Sequence, residues 1–281
     1  MNGISLPPLN IPQLLRRYDL RPSKSLGQNF LQDTQALQKI VSAANLGLED
    51  VVLEIGPGLG SMTRYLSLSA RSVTAVELDR KLFPALEGVL APYKNVRLVQ
   101  GDILKIDPAE LIEDTNYIVV ANIPYYITSM VIRHLLEANR RPSRMVLTVQ
   151  KEVAERICAE PGKMSLLALS VQVYGKPVIV DVISAGAFYP QPKVDSAVLI
   201  IELFPLPMIP ADKLDIFFNI IKAGFSQKRK TLRNALSGGL RVKPVESEAL
   251  LCAADIDPQR RAETLSLDEW GRLVSEYPDR K

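Results

Sequence analysis

Short apolar runs recur through the first two thirds of the chain, and most are followed by stretches of helical periodicity. Val51–Ile55, Val73–Val76, Val96–Val99, Tyr117–Ala121 and Met145–Gln150 read as buried strands, and Pro177–Ile183 and Val198–Phe204 bring the number to seven. Between them, Leu37, Ile40, Val41 and Ala44 form a helical face behind Asp33, a good N-cap, and Asn45 and Gly47 suit the end of that helix. Further helices are expected over Ser61–Ser69, from Leu78-Asp79 to about Leu90, and after Ser129, whose helix carries Val131, Leu135 and Leu136. Two more follow, one bearing Val153, Ile157 and Cys158 and one over Met164–Tyr174. Strands alternating with helices predict an α/β domain.

The pattern changes at Pro205, Pro207 and Pro210. Beyond them it is helical: Leu214, Phe217, Phe218 and Ile221 share a face, Lys230 and Arg233 fall in a following helix with Leu232 and Leu236, and Leu265, Leu267, Trp270 and Leu273 are expected to pack together. Residues 1–22 are dotted with prolines and read as an extended arm with one helical turn near Leu14–Tyr18. The organisation is therefore an arm over 1–22, an α/β domain over 23–205 and a helical domain over 206–281.

Open parallel sheets bind ligands beyond the carboxyl ends of their strands, and four strand ends here carry unusual residues. The first runs into Gly56-Pro57-Gly58-Leu59-Gly60 ahead of a helix, where glycines allow a sharp turn and a close approach to a ligand. Its spacing is G-x-G-x-G, with Ser61 where a dinucleotide fingerprint has its third glycine. That suits a small uncharged or zwitterionic ligand better than a pyrophosphate. The second ends on Glu77, 21 positions after Gly56, the spacing of a carboxylate that holds ribose hydroxyls; a surface strand-end acid is the plainer reading. The third ends in Gly101-Asp102, which either accepts from an adenine amino group or caps a turn. The fourth delivers Asn122-Ile123-Pro124-Tyr125: an amide that both donates and accepts, a stiff proline and a flat ring. These four residues suit a planar, amine-bearing base, or simply a strand followed by a proline turn.

Composition narrows the classes. Hydrophobic residues make up 47% of 281, enough for a substantial core. Net charge is only +3, but the basic excess lies at the ends, including Lys228-Arg229-Lys230 and Arg233. Such a run is either a solvated face or a phosphate-contacting one. Two cysteines and one histidine, His134, support neither a disulfide framework nor a metal cluster, so no metal is expected and a reducing, cytoplasmic setting is. No apolar run is long enough to span a bilayer. His134 has no nucleophile to serve and reads as structural.

The ordered set Gly27-Gln28-Asn29-Phe30-Leu31, Glu54 to Gly60, Glu77-Leu78-Asp79, Gly101-Asp102, Asn122 to Tyr125, Phe188 to Ser196 and Phe225 to Leu232 resembles the ribosomal RNA adenine N6,N6-dimethyltransferases of the bacterial small-subunit type. The resemblance runs from about Lys24 into the helical domain. It implies a class I methyltransferase fold, Rossmann-like, with seven strands, the last antiparallel, and a small all-α C-terminal domain. It implies S-adenosylmethionine as methyl donor, with Asn29, Leu31, Gly56, Glu77, Asp102 and Asn122 around it. Asn122, Ile123, Pro124, Tyr125 and Phe188 would then seat the target base. The partner implied is small-subunit rRNA within a partly assembled 30S particle, bound by a monomer through Lys24, Lys193, Lys228, Arg229, Lys230 and Arg233, with Arg16 and Arg17 as further candidates. A nicotinamide-dependent oxidoreductase shares the glycine loop and Glu77 but leaves Asn122–Tyr125 unexplained. A non-catalytic assembly factor and a large-subunit methyltransferase of the antibiotic-resistance type are the other readings.

Overall fold

The computed structural model describes residues 6–278, and the chain divides into two compact units. The first comprises the chain up to Ala154 together with Val178–Leu203; the second comprises Glu155–Pro177 and everything from Phe204 onward.

The first unit is built on a seven-stranded sheet. Its strands are β2 (Val51–Ile55), β3 (Ser72–Glu77), β4 (Val96–Gln100), β5 (Ile118–Asn122), β6 (Arg144–Gln150), β7 (Gly175–Ile183, which begins in the second unit) and β9 (Ser196–Leu203). The order across the sheet is β4-β3-β2-β5-β6-β9-β7. The pairings among β2 to β6 are parallel, and β9, the last strand in the chain, runs antiparallel to β6. All five residues of β2 are buried, as expected where helices cover both faces of a parallel sheet. The connecting helices are α2 (Thr34–Ala44), α3 (Ser61–Ser67), α4 (Phe83–Leu90), α5 (Pro108–Leu111), α6 (Thr128–Leu136) and α7 (Lys151–Ile157). The side chain of Asp33 caps α2 by accepting from the Ala36 N–H, and Asn45 closes it in the left-handed region.

Two local expectations need correction, and one short element was not expected. Ser129 does not cap α6; that helix continues from a 3₁₀ turn over Tyr125–Ile127, which satisfies the entry N–H groups from the backbone, starting with Ile127 to Pro124. The loop over residues 25–31 contains a strand, β1 (Phe30–Leu31), paired antiparallel with β8 (Phe188–Tyr189). A two-residue strand leaves no periodic signal, and its partner lies far along the chain. Lys230 is not helical: Thr231 is extended, and the helix begins at Leu232.

The second unit is helical, with α8 (Leu166–Gln172), α9 (Leu214–Phe225), α10 (Leu232–Leu240), α11 (Pro244–Ala253) and α12 (Leu267–Glu276). The segment 155–177 groups with it rather than with the sheet, because α8 buries Ala168, Leu169 and Val171 and Tyr174 stacks on Phe218 of α9. Trp270 is fully buried, and Gly224 and Gly239 permit the closest contacts. A Cβ at Gly224 would lie 2.5 Å from the Trp270 ring, and one at Gly239 would lie 2.5 Å from Ala223.

The described part of the N-terminal segment is packed rather than extended. It forms α1 (Ile11–Arg17), capped by Asn10, whose side chain accepts from the Gln13 N–H. Ile11 and Leu15 are buried against Phe30, Leu59, Leu82 and Ala85. Ahead of the helix, the Pro7 carbonyl accepts from the buried Arg64 guanidinium at 3.0 Å, and the Leu6 carbonyl accepts from the Tyr65 hydroxyl at 3.4 Å. The prolines that suggested an extended arm with one helical turn near Leu14–Tyr18 fit this helix, since Pro12 occupies the first turn, where no intrahelical N–H is needed. Ile11→Ala is expected to lower stability by about 2–5 kcal/mol, the range for a buried aliphatic truncation. A denaturant midpoint equal to that of the native chain would show that the segment does not pack in solution.

Candidate active site

The sheet order changes direction between β2 and β5: β3 and β4 extend to one side of β2, while β5 and β6 lie on the other. Chain segments leaving β2 and β5 must diverge there, which opens a crevice at their carboxyl ends. Ile55 pairs with Ala121, so the glycine loop and Asn122 emerge side by side. Gly56, Gly58 and Gly60 all have positive φ, at 71°, 59° and 82°. At Gly58 the lack of a side chain is also a packing requirement, because a Cβ would lie 2.9 Å from the Phe30 ring. Phe30 is in turn packed among the residues that α1 covers, so the N-terminal helix backs the wall of the crevice.

Asn122 is held by a long-range bond. Its Nδ2 donates to the Asn29 carbonyl at 3.1 Å, and Asn29 Nδ2 donates to the Gly27 carbonyl at 3.0 Å. With its N–H group committed to backbone, the amide presents Oδ1 with no protein donor among the described residues. Gln28 anchors the same loop: its Oε1 accepts from the Ser23 N–H at 2.7 Å, and its Nε2 donates to Asp79 at 2.8 Å. Beyond Asn122, the Ile123 N–H donates to the Thr148 carbonyl of β6 at 3.2 Å. The Tyr125 hydroxyl shares a 2.8 Å hydrogen bond with the buried Ser196, and burial raises its pKa, so it stays a neutral phenol.

Three carboxyl groups line the crevice. Glu77, at the end of β3, accepts from the N–H groups of Gly58 at 3.0 Å and Asp79 at 2.8 Å; burial nevertheless pushes its pKa up, more than those bonds lower it. Asp102 caps the turn over Ile103–Lys105 by accepting from the Leu104 N–H at 3.1 Å and stays partly open to solvent. Thus Asp102 caps a turn and also faces the crevice. Glu54, the penultimate residue of β2, is fully buried, and neither oxygen has a hydrogen-bond donor. Burial pushes its pKa up to about 8; the Thr63 hydroxyl alongside opposes the rise, and the charge of Glu77 adds to it.

Every residue expected at the donor or base site lines this one crevice: Asn29, Leu31, Gly56, Glu77, Asp102, Asn122, Ile123, Pro124, Tyr125 and Phe188. It encloses about 1090 Å³ including its open mouth. The basic residues are dispersed. Lys24 is exposed in the turn that closes at Gly27, and Lys193 is exposed between β8 and β9. Lys228, Arg229 and Lys230 form an exposed turn between α9 and α10 of the second unit. Arg233 is partly covered and pairs with Glu248 at 3.1 Å, so its charge is already matched. Arg16 and Arg17 are exposed at the end of α1. His134 bonds the Ile106 carbonyl at 2.9 Å from α6, in a structural position. Sequence reasoning assigned no role to Gln28, Glu54, Tyr126 or Ser196. A glutamate inside an otherwise apolar strand was a visible signal for Glu54; nothing local marks Ser196, which meets Tyr125 only through the fold.

Comparisons with known proteins agree with this architecture. A family model described as "Ribosomal RNA adenine dimethylase" matches residues 20–279. A relative named Ribosomal RNA small subunit methyltransferase A, from Dehalococcoides mccartyi (strain CBDB1), is 48% identical over 94% of this chain and 91% of its own length. A relative of the same name from Alkaliphilus oremlandii (strain OhILAs) is 40% identical over 95% of this chain and 96% of its own. Among solved structures, the 23S rRNA methyltransferase ErmE aligns with a TM-score of 0.72 and 28% identity, covering 88% of this chain and 99% of that one. A dimethyladenosine transferase from Plasmodium falciparum aligns with a TM-score of 0.74 and 26% identity, covering 88% and 96%.

The buried Glu54 generates a pH prediction. The folded state keeps its proton up to about pH 8, whereas an unfolded carboxyl releases it near 4.5. Unfolding therefore releases a proton between these values, and this group's contribution to stability falls as pH rises through that window. Glu54→Gln, which mimics the protonated side chain, is expected to gain in Tm relative to the native chain as pH rises from 4.5 towards 8. A Tm difference independent of pH would mean that Glu54 is ionised in the folded chain.

Proposed function

Since this chain belongs to the ribosomal RNA adenine dimethylase family, we propose that it methylates the N6 amino groups of two adjacent adenosines near the 3′ end of small-subunit rRNA during ribosome biogenesis, with S-adenosylmethionine as donor. The observation that carries the reading is the Asn122 amide, fixed by the Asn29 carbonyl with its acceptor oxygen free, between the glycine loop and Tyr125 in one crevice. The small-subunit target is supported by the 40–48% identity of the relatives named for it, against 28% for the 23S rRNA enzyme.

The crevice fits such a donor. Gly56 and Gly58 leave backbone bare beside it, Glu77 and Asp102 present carboxylates suited to ribose hydroxyls and an adenine amino group, and Leu31 supplies apolar wall. When bound, the donor supplies an electrophilic methyl group on a positively charged sulfur. The protein's task is then to orient the acceptor. An exocyclic adenine nitrogen is a weak nucleophile because its lone pair is delocalised into the ring. Asn122 Oδ1 and the Ile123 carbonyl accept its two hydrogens and favour a pyramidal nitrogen with a directed lone pair. Pro124 stiffens the chain between the amide and the ring of Tyr125, which stacks on the base, and Phe188 closes the other face. Transfer would form the N–C bond with the donor's neutral thioether as leaving group, and the alkylated nitrogen would lose its proton to water. No strong base is required, consistent with the structural placement of His134. Orientation of this kind contributes up to roughly 7–11 kcal/mol in favourable cases. The base must leave its stack to enter, and the exposed Lys228–Lys230 turn, Lys24 and Lys193 offer charge to the rRNA backbone. Arg233, already paired with Glu248, is the weakest candidate of that set.

The test is methylation of small-subunit particles that lack the mark, followed by mass mapping of the rRNA. Two adjacent dimethyladenosines are expected; modification only of large-subunit rRNA would overturn the assignment. Asn122→Ala should abolish transfer while donor binding persists, and near-native turnover would remove the amino-positioning role. Replacing Lys228, Arg229 and Lys230 together with Gln should weaken rRNA binding and flatten its dependence on salt. The log–log slope should fall by about 0.7–0.9 for each phosphate that is no longer neutralised. An unchanged slope would exclude phosphate binding at that turn.

A further inference from the structure

Two consecutive tyrosines at the crevice face different ways. Tyr125 is turned inward onto Ser196, whereas Tyr126 is 56% exposed yet still lines the crevice. A single exposed aromatic is ordinary; this one is held in place. A Cβ at Gly27 would lie 3.3 Å from both Cδ1 and Cε1 of the Tyr126 ring and 3.4 Å from Pro124, so the bare backbone of Gly27 braces one edge of the ring. The turn that positions Gly27 closes by its N–H bond to the Lys24 carbonyl at 3.1 Å. The same turn carries the exposed Lys24, which has no ion-pair partner among the described residues, three positions before the glycine that braces the ring. Met130, one helical turn beyond Tyr126, is half exposed and extends the apolar surface.

We infer that Tyr126 and Lys24 form a second nucleotide subsite at the mouth of the crevice, which takes the RNA nucleotide adjoining the adenosine being methylated. The aromatic ring receives the neighbouring base by stacking, and the lysine holds its phosphate. The subsite rests on the reading of the crevice as an RNA adenine methylation site and adds to it a register. With one adenosine inside on Tyr125, the next is parked outside on Tyr126, so that two adjacent adenosines are presented in turn.

The experiment compares the native chain with Tyr126→Ala, Tyr126→Leu and Tyr126→Phe on unmethylated small-subunit particles. A parallel binding assay uses a short rRNA hairpin carrying 2-aminopurine next to the target adenosine. Tyr126→Ala is expected to raise KM for the particle roughly tenfold, the effect of losing one base–aromatic stack, with the loss concentrated in KM rather than kcat. It should also relieve quenching of the 2-aminopurine. Tyr126→Phe should keep both properties and Tyr126→Leu should lose both, which separates stacking from simple apolar cover. Donor binding by each variant reports that it is folded. An unchanged KM for Tyr126→Ala, or Leu serving as well as Phe, overturns the subsite while leaving the methylation reading intact. A native chain that methylates no small-subunit particle refutes the methylation reading itself.

Discussion

The hydrogen bond from Asn122 Nδ2 to the Asn29 carbonyl joins two parts of the chain that are 93 residues apart, and the crevice depends on it. Without it, the amide at the end of β5 could present either its N–H₂ or its oxygen to a ligand. With it, the choice is made by backbone, and the loop from Gly27 to Leu31 is tied to the sheet at the point where the strand order reverses. Gln28 and Asn29 repeat the same logic, since each uses a side-chain N–H group to fix the loop, Gln28 to Asp79 and Asn29 to the Gly27 carbonyl.

The wall behind the glycine loop is built in layers. Gly58 admits the ring of Phe30, Phe30 packs with Leu59 and Leu82, and α1 covers that cluster from outside. Each layer is apolar, so the crevice has a dry, stiff back. Into it projects Glu54, fully buried and without a donor, while Glu77 beside it is satisfied by two backbone N–H groups. Burial raises the pKa of both carboxyls on these adjacent strands, but only Glu77 has backbone N–H groups that oppose the rise; Glu54 has the Thr63 hydroxyl alongside and the charge of Glu77 against it. A buried acid held neutral costs stability as pH rises, a cost borne where the chain approaches its ligand.

At the crevice, Tyr125 and Tyr126 set one flat side chain in a part-buried position and the next in an exposed one. The difference comes from the 3₁₀ turn that they open. Successive residues in such a turn point about a third of a revolution apart, so one ring meets Ser196 while the next meets Gly27 and solvent. The second unit has a different character. Its core includes the buried Trp270 packed against Gly224, and its exposed basic turn is free of the ion pair that engages Arg233.

The sequence by itself determined the seven main strands, the α/β class, the helical C-terminal part and the four strand-end features of the crevice, because buried parallel strands leave continuous apolar runs and their ends announce themselves with glycine, acid or amide; Asn29, Leu31 and Phe188 came only with the family resemblance, and roles for Gln28, Glu54 and Tyr126 only with the fold. Periodicity needs length, so the two-residue pair β1 and β8 was invisible, and so was the packing of α1 behind its prolines. Propensity also misplaced Ser129 and Lys230, where backbone turns rather than side-chain caps decide the helix start. Only the tertiary structure decided which way the Asn122 amide points, that burial raises the pKa of Glu54, that Arg233 is already paired, and that residues 155–177 belong with the helices beyond 204. Each of these depends on a neighbour distant in sequence, and local patterning carries no record of such neighbours.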